Sequence, residues 1–371
     1  MSVSKWPHDR RPHSVMRVLR DHLATPCRAR PHDVSITAFD HRAERGACMV
    51  MRVVADFDVV TFLPVHLGAG GWGLGAATGS RSIGLAFALA CTGMGLPLAP
   101  PLRYEVIEAQ VELVSKLIEC PSAGPLRRRP EFRWASLNVR RLCSESVGLA
   151  VAAALAHYEH GWTAANGWPY DLDLPPVFRG ARPDLLFTVP GGQVAAEARG
   201  RSQSRRATTA TAEQLEKLDG LAGWSAAHGG MKTFMAWSWV TAHSTRTDYF
   251  DPGEPQALVD DEDLERNLRR RCRLIRESAR QLDLEEHRVG DERVLGAWIR
   301  PALREFEFFL GVRDPDAVHL VRAADNARVP RTGSSAELNA TGAIVGAIVT
   351  AIKPVGEPAD IAELVSIPSI P

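Results

Sequence analysis

Residues Arg182 to Arg201 read RPDLLFTVPGGQVAAEARGR, two apolar runs around a Pro-Gly-Gly turn, with one acid before the first run and another inside the second. The turn residues predict an antiparallel pair that folds back at Gly191-Gly192. Asp184 begins the first strand and Glu197 lies near the end of the second, so the pairing brings both acids to the same end of the sheet. A carboxylate on a buried strand is costly unless it is paired or holds a cation, and two facing carboxylates repel. A divalent metal bound by oxygen ligands relieves both problems, with the main-chain carbonyl of Ala198 as a third oxygen. Arg199, two residues after Glu197, shares that acid's face. The plainer alternative makes Asp184 a strand-entry cap and pairs Glu197 with Arg199 or Arg201.

Working outward, residues 136–160 predict a helix of small residues that must pack closely on something. Residues 162–176 are irregular, with one strand among turns. After the hairpin come a helix over 208–230 and a buried strand over 231–244. The order is helix, strand, strand, strand, helix, strand.

In that order the residues resemble the PD-(D/E)XK nuclease superfamily, the restriction-endonuclease-like fold. Pro183-Asp184 supplies the PD, and Glu197-Ala198-Arg199 stands where (D/E)-x-K is expected. The resemblance covers roughly residues 136–245. It implies an α/β protein with an αβββαβ core that hydrolyses phosphodiester bonds of nucleic acid, DNA rather than RNA, using Mg²⁺ or Mn²⁺. The implied metal ligands are Asp184, Glu197, the Ala198 carbonyl and Glu145, which opens the first core helix. Gln214 on the second core helix would position water or a phosphate oxygen. A role in prokaryotic antiviral defence or restriction, which suits such nucleases by analogy, completes the expectation.

Arg199 departs from the pattern, because arginine keeps its proton and cannot act as a general base. Three explanations stay open. Arginine can hold a phosphate oxygen while the metal activates water, the lysine can have moved to Lys217 one turn after Gln214, or the site can be degenerate. The last makes the chain a nucleic-acid-binding or assembly subunit that does not cut.

The rest of the chain bounds these readings. At 371 residues with zero formal net charge, it has room for more than one core and shows no overall basic footprint. Local footprints remain in Arg201, Arg205 and Arg206 beside the inferred site, and in Arg266, Arg269, Arg270, Arg273 and Arg276 on a helix over 260–282. That helix also reads as a solvated, salt-bridged face. The expected division is a basic arm over 1–45, an N-terminal α/β domain over 46–135, the nuclease-like domain over 136–250 and a mainly helical extension over 251–371. The glycines of 66–82 read as turns and close packing ahead of the 82–95 helix, since neither a dinucleotide-binding loop nor a Walker A loop is complete there. Residues 82–95 predict a buried helix, with a membrane span over 82–101 as the minor alternative. Residues 340–354 predict a further buried helix. The six cysteines are scattered without metal or disulfide spacing, which suits a reduced, cytoplasmic protein. His157 and His160 lack further zinc ligands, and Trp224, Trp237 and Trp239 read as core. A protein partner or a homo-oligomer is left open.

Overall fold

The computed structural model describes residues 54–65, 71–94, 103–120, 124–163, 168–169, 182–189, 192–203, 209–251, 261–300, 306–317 and 340–365. The basic arm, Gly68, Gly70, Gly191, Arg205 and Arg206 lie outside them. Strands β1 (Val54–Val65) and β2 (Gly71–Gly84) are followed by helices α1 (Leu85–Met94) and α2 (Arg103–Leu117). Short strands β3 (Ile118–Glu119), β4 (Gly124–Pro125) and β5 (Arg127–Arg128) lead to a 3-10 turn, Pro130–Trp134. Next come α3 (Leu137–His160), β6 (Trp168–Pro169), β7 (Leu185–Val189) and β8 (Gly192–Arg201). After these follow α4 (Ala212–Ala227), β9 (Lys232–Val240) and β10 (Thr245–Phe250), so 137–240 runs helix, three strands, helix, strand. The remainder is α5 (Asp261–Arg280), β11 (Glu285–Val289), β12 (Glu292–Ile299), β13 (Phe306–Arg313), β14 (Gly342–Val345), β15 (Ile348–Pro354) and α6 (Ile361–Leu364).

The protein is mixed α/β. Its large sheet has the order β2-β1-β10-β9-β8-β7-β6, with β4 added beside β1. β7 and β8 pair antiparallel, while β8 and β9 pair parallel, which the α4 crossover permits. Strand β9 shows why its sequence, KTFMAWSWV, is apolar on both faces. Phe234 and Ala236 enter one core with the alanines of α3, while Met235, Trp237 and Trp239 enter another with Leu218 and Leu221 of α4. The sheet therefore has helix on both sides.

Helix α3 lies unusually close to β8. A Cβ on Gly148 would come within 2.7 Å of the Arg199 main chain, and one on Gly200 would overlap the Ser144 carbonyl. The small-residue composition of α3 is thus a condition of its contact with the strand that carries the candidate site.

Three expectations need correction. The glycines of β2 are strand rather than turn: they pair with β1 from Val54↔Gly84 to Val65↔Gly71, and at Gly75 a Cβ would meet the Thr61 carbonyl at 3.0 Å. No domain border separates the N-terminal strands from the hairpin, since β1 pairs parallel with β10 in one sheet and residues 49–371 form one compact unit. The described residues of the C-terminal region are not mainly helical. Apart from α5 and the single turn of α6, they build a five-stranded antiparallel sheet of order β11-β12-β13-β15-β14. Residues 340–354, expected as a helix, form the β14–β15 hairpin, which turns at Gly346 with φ +56°. A short apolar run of Ala, Ile and Val fits either element by period, and the left-handed glycine decides for the turn.

Residues 85–94 are the buried helix expected there. Among the described residues no helix is long and apolar enough to cross a membrane.

Candidate active site

The hairpin register runs from Val189↔Gly192 to Leu185↔Ala196, and the Asp184 N–H donates to the Ala196 carbonyl at 2.8 Å. The next step places Asp184 across from Glu197. Asp184 then turns back onto its partner strand, where its Oδ2 accepts from the Ala198 N–H at 2.8 Å. The strand-entry bond and the approach to Glu197 come from the same geometry.

Glu197 is fully buried, and neither of its carboxylate oxygens has a hydrogen-bond partner of proper geometry. Two cations face it. Arg199 Nη2 contacts its Oε1, and Lys217 Nζ, reaching in from α4, stands 3.4 Å from the same atom. The other branch of the Arg199 guanidinium, Nη1, lies 3.4 Å from Asp184 Oδ2 and 3.2 Å from the Ala198 carbonyl. One guanidinium therefore touches all three oxygens that the sequence offers as cation ligands. It fills the role of the expected positive charge.

Glu145 stands one layer away. Its Oε2 accepts from the Gly200 N–H at 2.9 Å, and its Oε1 pairs with Arg201 at 2.8 Å. Both oxygens are thus committed to the end of β8. Arg201 also pairs with Glu213 at 2.6 Å and lies over the Trp237 ring at 4.8 Å. Gln214 is buried and caps α4: its side chain accepts from Thr211 N at 2.9 Å, closing a capping box, and donates to Asp248 Oδ2 at 3.1 Å. That amide is directed at Asp248 and not at the acids of the hairpin.

Burial and crowding set the electrostatics. Burial pushes Glu197 up to about 7, Asp184 adds to the rise, and Arg199 and Lys217 hold it back. Burial also raises Asp184, against the pull of Arg199 and the Ala198 N–H. For Arg199 burial opposes the charge, but Asp184, Glu197, Glu145 and Glu213 outweigh it and keep the guanidinium above its usual value. This arginine stays a cation under all working conditions.

Among the described residues no three His, Cys, Asp or Glu side chains converge to hold a metal ion. The available donors are two carboxylates and one carbonyl. Mg²⁺ accepts such a set, because it commonly binds one or two carboxylates and completes its shell with water and substrate oxygens. The poorly satisfied Glu197 oxygens fit the same demand, since a buried charged acceptor left without hydrogen bonds is costly.

The distal arginines divide. Arg269 pairs with Glu265 at 2.5 Å, and Arg273 is exposed. Arg276 is corrected: it is 2% exposed, and its Nη1 donates to the Val312 carbonyl at 3.1 Å, so it braces α5 against the second sheet and cannot meet a phosphate. His157 and His160 are likewise engaged, with the Trp162 carbonyl and the Tyr249 hydroxyl, each at 2.8 Å.

Sequence reading missed Asp248, which accepts from Trp239 Nε1 at 2.8 Å and from Arg246 Nε at 3.2 Å as well as from Gln214. The signal was present in TRTDYF, an acid on a buried strand like Glu197. It also missed the glycine pair Gly148 and Gly200, whose meaning depends on which helix lies against β8. Comparison with protein-family models, curated proteins and solved structures finds no match for this chain.

Proposed function

We propose that the chain is a metal-dependent nuclease of the PD-(D/E)XK type, acting on DNA in preference to RNA. One observation carries the reading: a fully buried Glu197 without proper hydrogen-bond partners shares its sheet end with Asp184 and the Ala198 carbonyl. Those three groups would hold Mg²⁺ or Mn²⁺. The ion, when bound, would polarise the scissile phosphate and lower the pKa of water.

The chain's own residues have separable tasks in this reading. Arg199 would present two N–H donors to a phosphate oxygen and offset the charge that develops on it. Lys217, already beside Glu197, would add a second positive charge at the reacting centre. Glu145 holds the Gly200 amide and Arg201, which keeps the end of β8 in register. Gln214 locks the start of α4 and so sets where Lys217 points.

The test is incubation of the purified protein with plasmid, linear DNA and RNA in Mg²⁺, Mn²⁺ or EDTA. Cleavage should need the metal and disappear in Asp184→Ala and Glu197→Ala. Cleavage that survives either change removes this site.

A second reading has its own support in Arg199, whose guanidinium already contacts the three oxygens. It makes the chain a nucleic-acid-binding subunit with an internal cation in place of the metal. Binding that is equal in EDTA and Mg²⁺, with no cleavage in any metal, would favour it.

A further inference from the structure

The stretch 127–141, RRRPEFRWASLNVRR, holds six arginines and one acid, Glu131, and precedes and opens helix α3. Arg127 is accounted for by Glu119 at 3.0 Å. Arg141 reaches Glu145, while among the described residues Arg128, Arg129, Arg133 and Arg140 have no such acid. Arg128, Arg129 and Arg140 each have a buried Nε with no hydrogen-bond partner. Burial first, and then the charge of Arg140, lowers the Arg128 pKa, so the two cations repel. Two guanidiniums held together without an acid between them form a site that an anion would satisfy.

An aromatic surface adjoins this charge. Arg128 lies over the buried Phe132 ring at 5.0 Å, and the next residue, Arg133, lies over Trp134 at 4.8 Å. Trp134 is 78% exposed and Leu137 is 70% exposed, which leaves the outer side of the indole open. Large exposed aromatics next to arginines suit a ligand with a flat apolar part and a negative backbone. From Leu137, Arg141 and Glu145 follow at successive i,i+4 positions on one face of α3, and Arg141 Nε lies 4.0 Å from Glu145 Oε1. Eight residues of helix span about 12 Å, so this surface is close to the β8 end that Glu145 holds.

We propose that residues 128–141 bind single-stranded nucleic acid, with a backbone phosphate between Arg128 and Arg140 and an unpaired base stacked on Trp134. The occupant follows from the two halves of the surface. A phosphate alone would leave the open side of the indole, away from Arg133, uncovered, and a base inside a duplex has both faces covered by its neighbours. The proposal rests on the nucleic-acid reading of the hairpin site and adds where an unpaired strand enters it.

The experiment measures binding apart from cutting, by fluorescence anisotropy with a labelled single-stranded oligodeoxynucleotide, in EDTA and on the Asp184→Ala background. Trp134→Ala should weaken binding about tenfold, the size of a lost base stack, and Trp134→Phe should recover most of it. Arg140→Gln should lower the slope of log K against log salt by about 1, the share of one phosphate contact. Both variants should melt with the parent. Unchanged affinity in Trp134→Ala together with an unchanged salt slope in Arg140→Gln overturns the proposal. Tighter binding of the same strand as a perfect duplex, or displacement by polyglutamate at lower concentration than by the oligonucleotide, overturns it too. Metal-dependent cutting without these effects would leave the hairpin site standing alone; these effects without any cutting would do the reverse.

Discussion

Replacing Arg199 with methionine isolates what its charge does for Glu197. Glu197 is fully buried and titrates near 7, against 4.5 for an ordinary glutamate. Between those values the folded protein holds a proton that the unfolded chain has released. The contribution of Glu197 to stability is therefore fully present below about pH 4.5 and is lost as pH rises through about 7, a change of about 3 kcal/mol. Without Arg199 the ionised Glu197 keeps only Lys217, at 3.4 Å. Breaking a buried pair by removing one partner costs about 3–5 kcal/mol, so that is the destabilisation expected at about pH 8.5. At about pH 5, where Glu197 is protonated in parent and variant alike, the loss should fall to about 1 kcal/mol, the arginine's bond to the Ala198 carbonyl and its packing. Urea unfolding of both proteins in EDTA at the two pH values measures the difference; titrating groups that Arg199 does not touch cancel, and Asp184, 3.4 Å from its Nη1, adds to the loss wherever it is ionised. Equal destabilisation at the two pH values, or a variant more stable than the parent at about pH 8.5, refutes the reasoning.

Arg199→Met should also bind Mn²⁺ more tightly than the parent by calorimetry, since the guanidinium no longer competes for the three oxygens; equal affinity would mean that these oxygens do not form the cation site. Gly200→Ala forces a Cβ into the Ser144 carbonyl and should cost about 3 kcal/mol in urea unfolding while loosening the Glu145 contact, whereas a neutral result would contradict the close packing of α3 on β8. His160 is half-buried, and burial first and then Lys232 lower it to about 4. Its stabilising effect is complete above about pH 6.5 and falls by about 3 kcal/mol as pH drops toward 4, so His160→Gln should flatten that limb of a stability-against-pH curve.

How much was legible in advance follows from how local each signal is. The hairpin could be read because its turn residues, its strands and both acids lie within twenty consecutive positions, Arg182 to Arg201. Helices α3, α4 and α5 announced themselves by period and small-residue runs. Strand β2 did not, because glycine weakens a strand in isolation, and only the approach of Thr61 to Gly75 gives its glycines a reason. The C-terminal sheet was hidden for a related cause: Ala, Ile and Val in short runs satisfy helix and strand alike, and the pairing that chooses between them joins β13 to β15 across many residues.

The sequence by itself determined that Asp184 and Glu197 would share one end of the sheet, because strand rise and the turn between them set that register. It also determined that Arg199 would share the Glu197 face. Tertiary structure decided the rest. Packing of Gly148 against β8 brought Glu145 to the Gly200 amide, the α4 crossover brought Lys217 to Glu197, and the parallel pairing of β1 with β10 drew the N-terminal strands into the same sheet. These contacts join residues far apart in the chain, and such pairings depend on which surfaces bury each other, a property of the whole fold that no local stretch records.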